Sequence, residues 1–143
     1  MGEKKSGRIV HSKNSERFMS IKLSNKYLID PELLQNVSEE SQVVVHCELT
    51  AWKEKIWGRV WPTTYLVDNE THLKYPLVHV EGISLYPVWT PIEMGETLRF
   101  SLFFKGLPKS CKSFDLIELI PEPGGFVFPG IARNRFDVYY VKF

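Results

Sequence analysis

Trp57, Arg59 and Trp61 fall at alternate positions in the stretch WKEKIWGRVWP, with Ile56 and Val60 on the opposite parity. In an extended chain the three share one face, spaced about 7 Å from one to the next. Indole faces stack on the apolar side of a sugar ring while a guanidinium binds its hydroxyls. Tryptophan and arginine are also the side chains most enriched at protein-interface hot spots. A purely structural use is a cation–π ladder, with Arg59 between the two indoles. Pro62 marks an edge strand or its end, and an open edge recruits another chain. A second aromatic group lies in SLYPVWTP at 84–91, where prolines stiffen the segment that carries Tyr86 and Trp89. The structural alternative there is a sheet-crossing loop whose Trp89 plugs one end of the fold. Trp57, Arg59, Trp61, Tyr86 and Trp89 are the candidate binding residues.

A second constellation is weaker. His46 and Glu48 share a face, as do His79 and Glu81. If their strands were neighbours, two imidazoles and two carboxylates would converge as ligands for a divalent ion, and a small metal-dependent enzyme would follow. The bland reading is two solvated faces with local opposite-charge pairs. His46 and Cys47 are adjacent, so in a strand they point to opposite faces and cannot act as a thiolate–imidazole pair. Asp30, Asp68, Asp115 and Asp137 are scattered, and Asp115 and Asp137 suit turns or edge hydrogen bonds. GIARNR at 130–135 places two arginines in a turn, a grip for carboxylate or phosphate if an exposed aromatic lies beside it. The sequence holds no nucleophile elbow, phosphate-binding glycine loop, dinucleotide fingerprint, H-E-x-x-H or C-x-x-C. No catalytic residue, metal ligand or cofactor is therefore assigned.

Composition narrows the function classes further. The 143 residues suit one domain, and 43% hydrophobic content is enough for a core. Residues 1–17 hold five basic and two acidic side chains, whereas the remainder holds 13 basic and 15 acidic. The main body is thus close to neutral, unlike a dedicated nucleic-acid binder. No run approaches the ~18 consecutive apolar residues of a membrane span. The basic start lacks the apolar run of a secretory signal, so a cytoplasmic location is expected, or a secreted one if a signal has been trimmed away. Two cysteines are too few for a disulfide scaffold, and in the cytoplasm both would be free thiols.

These side chains must be positioned by strands. Period-two patterns run through 18–23, 43–49, 56–61, 64–67, 77–86, 97–104, 113–120, 126–128 and 137–143. In 43–49, Val43, Val45, Cys47 and Leu49 oppose Val44, His46 and Glu48. In 97–104, Leu98, Phe100, Leu102 and Phe104 oppose Thr97, Arg99, Ser101 and Phe103. In 113–120, Phe114, Leu116, Glu118 and Ile120 oppose Asp115, Ile117 and Leu119. One short helix is expected after Asp30-Pro31-Glu32, carried by Leu33, Leu34 and Val37 and ended by 38–41. Turn chemistry appears at Asp68-Asn69-Glu70, Met94-Gly95-Glu96, Gly106-Leu107-Pro108 and Pro121-Glu122-Pro123-Gly124-Gly125.

The stretch TLRFSLFFKGLPKSCKSFDLIELIPEPGGF resembles the second half of immunoglobulin-like β-sandwich domains of bacterial type. The likeness is carried by the apolar strand 98–104, the Leu107-Pro108 turn and Phe114-Asp115-Leu116. The terminal RFDVYYVKF is similar to the Asp-x-x-x-Tyr strand of such domains, through Asp137 and Tyr139 or Tyr140. The resemblance implies a fold and little about activity. The expectation is an all-β, antiparallel immunoglobulin-like sandwich of about 8–9 strands with one short helix. Residues 1–17 would form a flexible basic leader and 18–143 a single domain. The expected function is a non-catalytic binding or assembly module that presents an aromatic-rich face to a protein partner, or to a second copy as a homo-oligomer. A carbohydrate-binding module using the same tryptophans is the alternative.

Overall fold

The computed structural model describes residues 42–143. The expected leader 1–17, strand 18–23 and helix following Asp30 lie outside these residues. Nine strands make up the described part: β1 (Val43–Thr50), β2 (Ile56–Gly58), β3 (Thr64–Asp68), β4 (Lys74–Glu81), β5 (Thr90–Ile92), β6 (Thr97–Phe104), β7 (Ser113–Glu118), β8 (Val127–Ala132) and β9 (Val138–Lys142). Seven form one sheet in the order β8-β7-β3-β4-β6-β1-β9, and β2 and β5 form a separate two-stranded ribbon. No helix among the described residues is long and apolar enough to cross a membrane.

The longest ladder of the sheet joins the two clearest alternating runs. β1 and β6 pair antiparallel without a slip, from Val43 opposite Phe104 to Thr50 opposite Thr97. That register puts Val43, Val45, Phe100, Leu102 and Phe104 on one buried face. A one-residue slip would turn the entire set to solvent, so burial fixes the pairing. β7 supplies Phe114 and Leu116 to the same core, and β9 supplies Tyr139 and Val141.

The sheet is strongly rolled. β7 and β9 stand near opposite ends of the strand order, yet Phe114 and Tyr139 meet edge to face across the core at 5.1 Å. Phe143, just beyond β9, packs edge to face on Phe126 at 4.9 Å and on Phe128 of β8 at 5.0 Å. Accumulated strand twist brings the two outer strands together over one shared core, so the large sheet is nearly barrel-like.

Sequence expectations change at several points. The fold is all-β, but β1 pairs with β9 in parallel, so the sheet is mixed. The strands are also divided unequally, seven in one sheet and two in the other. Finally, the run 56–61 is not one strand: β2 stops at Gly58, and Val60 makes an isolated parallel bridge to Leu85. Gly58 sits where the ribbon meets the end of β1. A Cβ there would lie 3.2 Å from the Leu49 side chain, so the ribbon packs tightly against the end of β1.

Turns follow their predicted chemistry. Asp68 accepts hydrogen bonds from Glu70 N at 2.8 Å and Thr71 N at 3.3 Å, an Asx turn between β3 and β4. Those amides, Glu70's first, hold its carboxyl below the usual range. The β8–β9 turn is organised by Arg133, whose five N–H donors are all committed. Its Nε and Nη2 reach the Asp137 carboxylate at 2.6 and 2.9 Å. Its Nη groups also reach the carbonyls of Pro108 at 2.8 Å, Cys111 at 3.1 Å and Leu107 at 3.3 Å. The Tyr139 hydroxyl closes the same turn by accepting from Asn134 N at 2.9 Å and donating to Asp137 at 2.8 Å. Arg133 is therefore an internal staple between two loops, not the surface anion grip that 130–135 suggested. Arg135 is exposed and lies over the Phe136 ring at 5.4 Å.

Candidate binding surface

The ribbon and the loop that follows β4 create an aromatic tip. β2 and β5 pair Ile56 with Ile92, Trp57 with Pro91 and Gly58 with Thr90. Ile92 is buried and anchors the ribbon, whereas Trp57 is 53% exposed. The loop 84–90 is pinned at its base. Val60 N donates to Ser84 O at 2.9 Å, Tyr86 N donates to Val60 O at 2.8 Å, and the Ser84 and Thr90 hydroxyls meet at 2.6 Å. The Tyr86–Pro87 peptide is cis.

Arg59 enters this loop from the side. Its guanidinium carbon is 3.7 Å from the Trp89 ring centroid, 4.6 Å from Tyr86 and 5.8 Å from Trp61. Trp61 in turn stacks on Tyr86 at 3.9 Å with 29° between planes. The arginine side chain is only 13% exposed, and Nη2 lies 4.0 Å from Glu122 at the rim. Nη1 donates to Pro87 O at 3.1 Å, while the buried Nε has no hydrogen-bond partner. A buried unpaired donor costs about 1–3 kcal/mol, and each desolvated cation–π contact returns roughly 0.5–2 kcal/mol. Three ring contacts offset the one missing bond, so Arg59 is held by π-faces more than by the Glu122 carboxylate at 4.0 Å.

The structure thus brings four of the five predicted residues together and leaves one outside. Arg59, Trp61, Tyr86 and Trp89 form the cluster. Trp57 sits apart, with Lys55 Nζ 4.6 Å above its ring and Lys55 itself paired to Glu93 at 3.3 Å. The expected Trp57–Arg59–Trp61 ladder is replaced by a Trp89–Arg59 stack, because the chain leaves the strand path after Gly58. Tyr86, Val88 at 60% and Trp89 at 50% remain exposed beside the arginine.

Glu118 supports the cluster from beneath, a role that the sequence reading did not assign. It is buried at the end of β7 and accepts from Trp61 N at 3.0 Å. Burial pushes its carboxyl above the usual range, against the opposing pull of the Trp61 and Phe126 amides and the Arg59 charge. Its position in the apolar set of 113–120 was the available signal: an acid at an inward position needs a polar partner.

The His46, Glu48, His79 and Glu81 constellation does not close into a metal-ligand set. β6 lies between β1 and β4, so the two pairs are a full strand apart. His46 meets Ser101 at 2.7 Å, His79 meets Glu81 at 3.4 Å, and Glu48 faces Arg99 at 3.4 Å. Among the described residues no group of three or more His, Cys, Asp or Glu side chains could hold a metal ion. Cys47 and Cys111 are buried free thiols, and burial raises both above the ordinary thiol value. They are poor nucleophiles at neutral pH.

Compared with the models of known protein families, with curated proteins and with solved structures, the chain shows no match.

Proposed function

We propose that this protein is a non-catalytic binding module that docks a protein partner, or a second copy of itself, on the tip formed by Tyr86, Val88 and Trp89, with Trp57 flanking. The observation that carries this reading is the combination of exposure and packing at Trp89. Half of its surface faces water, yet its other face rests on an arginine that is itself nearly enclosed. Ordering such a tip costs little on binding, because the fold has already ordered it. Tryptophan, tyrosine and arginine around one point are the composition of an interface hot spot. Enzyme chemistry has no comparable support among the described residues.

Two further expectations belong to this proposal. Kinship with immunoglobulin-like domains is supported by the Tyr139 hydroxyl, which reaches back to a backbone amide five residues upstream as in a tyrosine corner. A cytoplasmic location is supported by the two buried free thiols.

The test is site-specific photo-crosslinking in cells that express the full chain. A photoreactive residue at Val88 is expected to give an adduct of defined mass, the mass of two chains if the partner is a second copy. The same residue at Lys112, beside the Arg133 staple, is expected to give none. Equal labelling from both positions, or no adduct from Val88, contradicts the proposal.

A further inference from the structure

The outer face of the large sheet carries a second site, made from cross-strand neighbours. Register places Glu81 of β4 opposite Ser101 of β6, Ser101 opposite His46 of β1, and His46 opposite Tyr140 of β9. The next row holds Arg99 opposite Glu48, and Glu48 opposite Lys142. Together the upper row, Glu48 and Arg99 line an open groove of about 390 Å³. That is near the lower end of small-molecule sites, which run from roughly 300 to 1,000 Å³. Gly82 forms its rim with φ +86°, and a Cβ there would lie 2.8 Å from the Arg99 carbonyl. Only glycine lets β4 leave the sheet at this point and keep the groove open.

The polar groups in the groove are already oriented. His46 Nδ1 is 2.7 Å from Ser101 Oγ, and its ring lies 5.1 Å from that of Tyr140. Glu48 is shared between Arg99 at 3.4 Å and Lys142 at 3.9 Å. The two lining carboxylates, Glu48 and Glu81, are offset by Arg99 within the groove and by Lys142 at its flank, so the groove selects no strong net charge. It offers closely interleaved donors and acceptors beside a phenol ring that is 40% exposed. A neutral ligand with several hydroxyls and one apolar C–H face meets all of these features. The Ser101–His46 pair does not make the groove an acyl-transfer site. β6 is hydrogen-bonded on both sides, so its backbone amides are committed to the ladders and supply no oxyanion hole.

We infer that this groove binds a mono- or disaccharide, stacked on Tyr140 and hydrogen-bonded by Glu48, Glu81, Ser101 and His46. The site is independent of the aromatic tip.

The test is a titration of the isotopically labelled full chain with glucose, galactose, mannose, N-acetylglucosamine, maltose and cellobiose, followed by amide chemical shifts. The expected result is a saturable shift with at least one sugar, centred on His46, Ser101 and Tyr140. Tyr140→Ala and the near-isosteric Glu48→Gln should each weaken that binding about tenfold, or roughly 1.4 kcal/mol, while Trp89→Ala leaves it unchanged. Should Tyr140→Ala fail to fold, Glu48→Gln carries the test alone. Shifts centred on Trp57 and Trp89, unaltered affinity in Glu48→Gln, or no saturable shift with any of these sugars would overturn the inference.

Discussion

Arg133 and Arg59 are both largely enclosed, but they are held in opposite ways. Arg133 spends every donor on a carboxylate and three carbonyls, and it ties the β8–β9 turn to the loop before β7. Arg59 has one carbonyl, a distant carboxylate and three aromatic faces, and it leaves Nε unpaired. The first arrangement is saturated and closed. The second is unsaturated and open on one side, with exposed rings around it. A staple needs directional bonds that only its own partners can make. A recognition surface needs rigid apolar area, which π-faces stacked on a cation supply without closing the site.

The sharpest way to break this contrast is to remove each arginine in turn. Arg133→Ala leaves Asp137 partly buried without its cation and frees three carbonyls. Removing one partner of a buried pair costs about 3–5 kcal/mol, so urea unfolding should show a loss of that size. A loss below ~1 kcal/mol would mean that the staple is redundant. Arg59→Met keeps apolar volume between the rings and removes the unpaired donor. Its expected effect on the same measurement is about 1 kcal/mol or less. A loss as large as that of Arg133→Ala would make Arg59 a staple too.

A pH series sharpens the comparison beneath Arg59. Burial holds the Glu118 carboxyl above its ordinary value. The folded chain then binds that proton more tightly than the unfolded chain does. Glu118 therefore adds stability below the ordinary carboxylate pKa, and this contribution is lost as pH rises through the raised one. Glu118→Gln cannot titrate, so its urea midpoint should gain on that of the native chain across this interval. A constant offset between the two would show that the carboxyl is not perturbed. Asp68 is shifted the opposite way, so its contribution disappears only at lower pH, as the solution falls through its depressed value. A small stability effect should come from Trp89→Ala, of the size of the one cation–π contact it removes, roughly 0.5–2 kcal/mol. Its ring is half exposed, and the loop keeps its hydrogen bonds at Ser84, Tyr86 and Thr90.

The sequence made the strands legible where alternation was long and uninterrupted. The inward sets of β1 and β6 emerge with the same residues on the same faces. β5 was missed because Pro91 argues against a strand interior, and only a two-stranded ribbon edge tolerates it. β8 runs further than expected because Pro129 and Gly130 lie on the sheet's outermost strand, where a missing donor breaks no ladder. At the site, residue types were readable and partners were not. Periodicity joined Arg59 to Trp57, two residues away. The fold joins it to Trp89, thirty positions on, through a loop pinned by Val60. Such a contact depends on where the loop returns, which no local pattern encodes. The outer-face groove was hidden for the same reason, since it is assembled from four strands by register alone.

The most direct test is the yield of the adduct from Val88, compared between Trp89→Ala and the exposed neighbour of the staple, Arg135→Ala. The account predicts that Trp89→Ala abolishes the adduct while the chain stays folded, whereas Arg135→Ala retains it in full. An adduct that survives the loss of Trp89 would contradict the assignment of the aromatic tip as the binding surface.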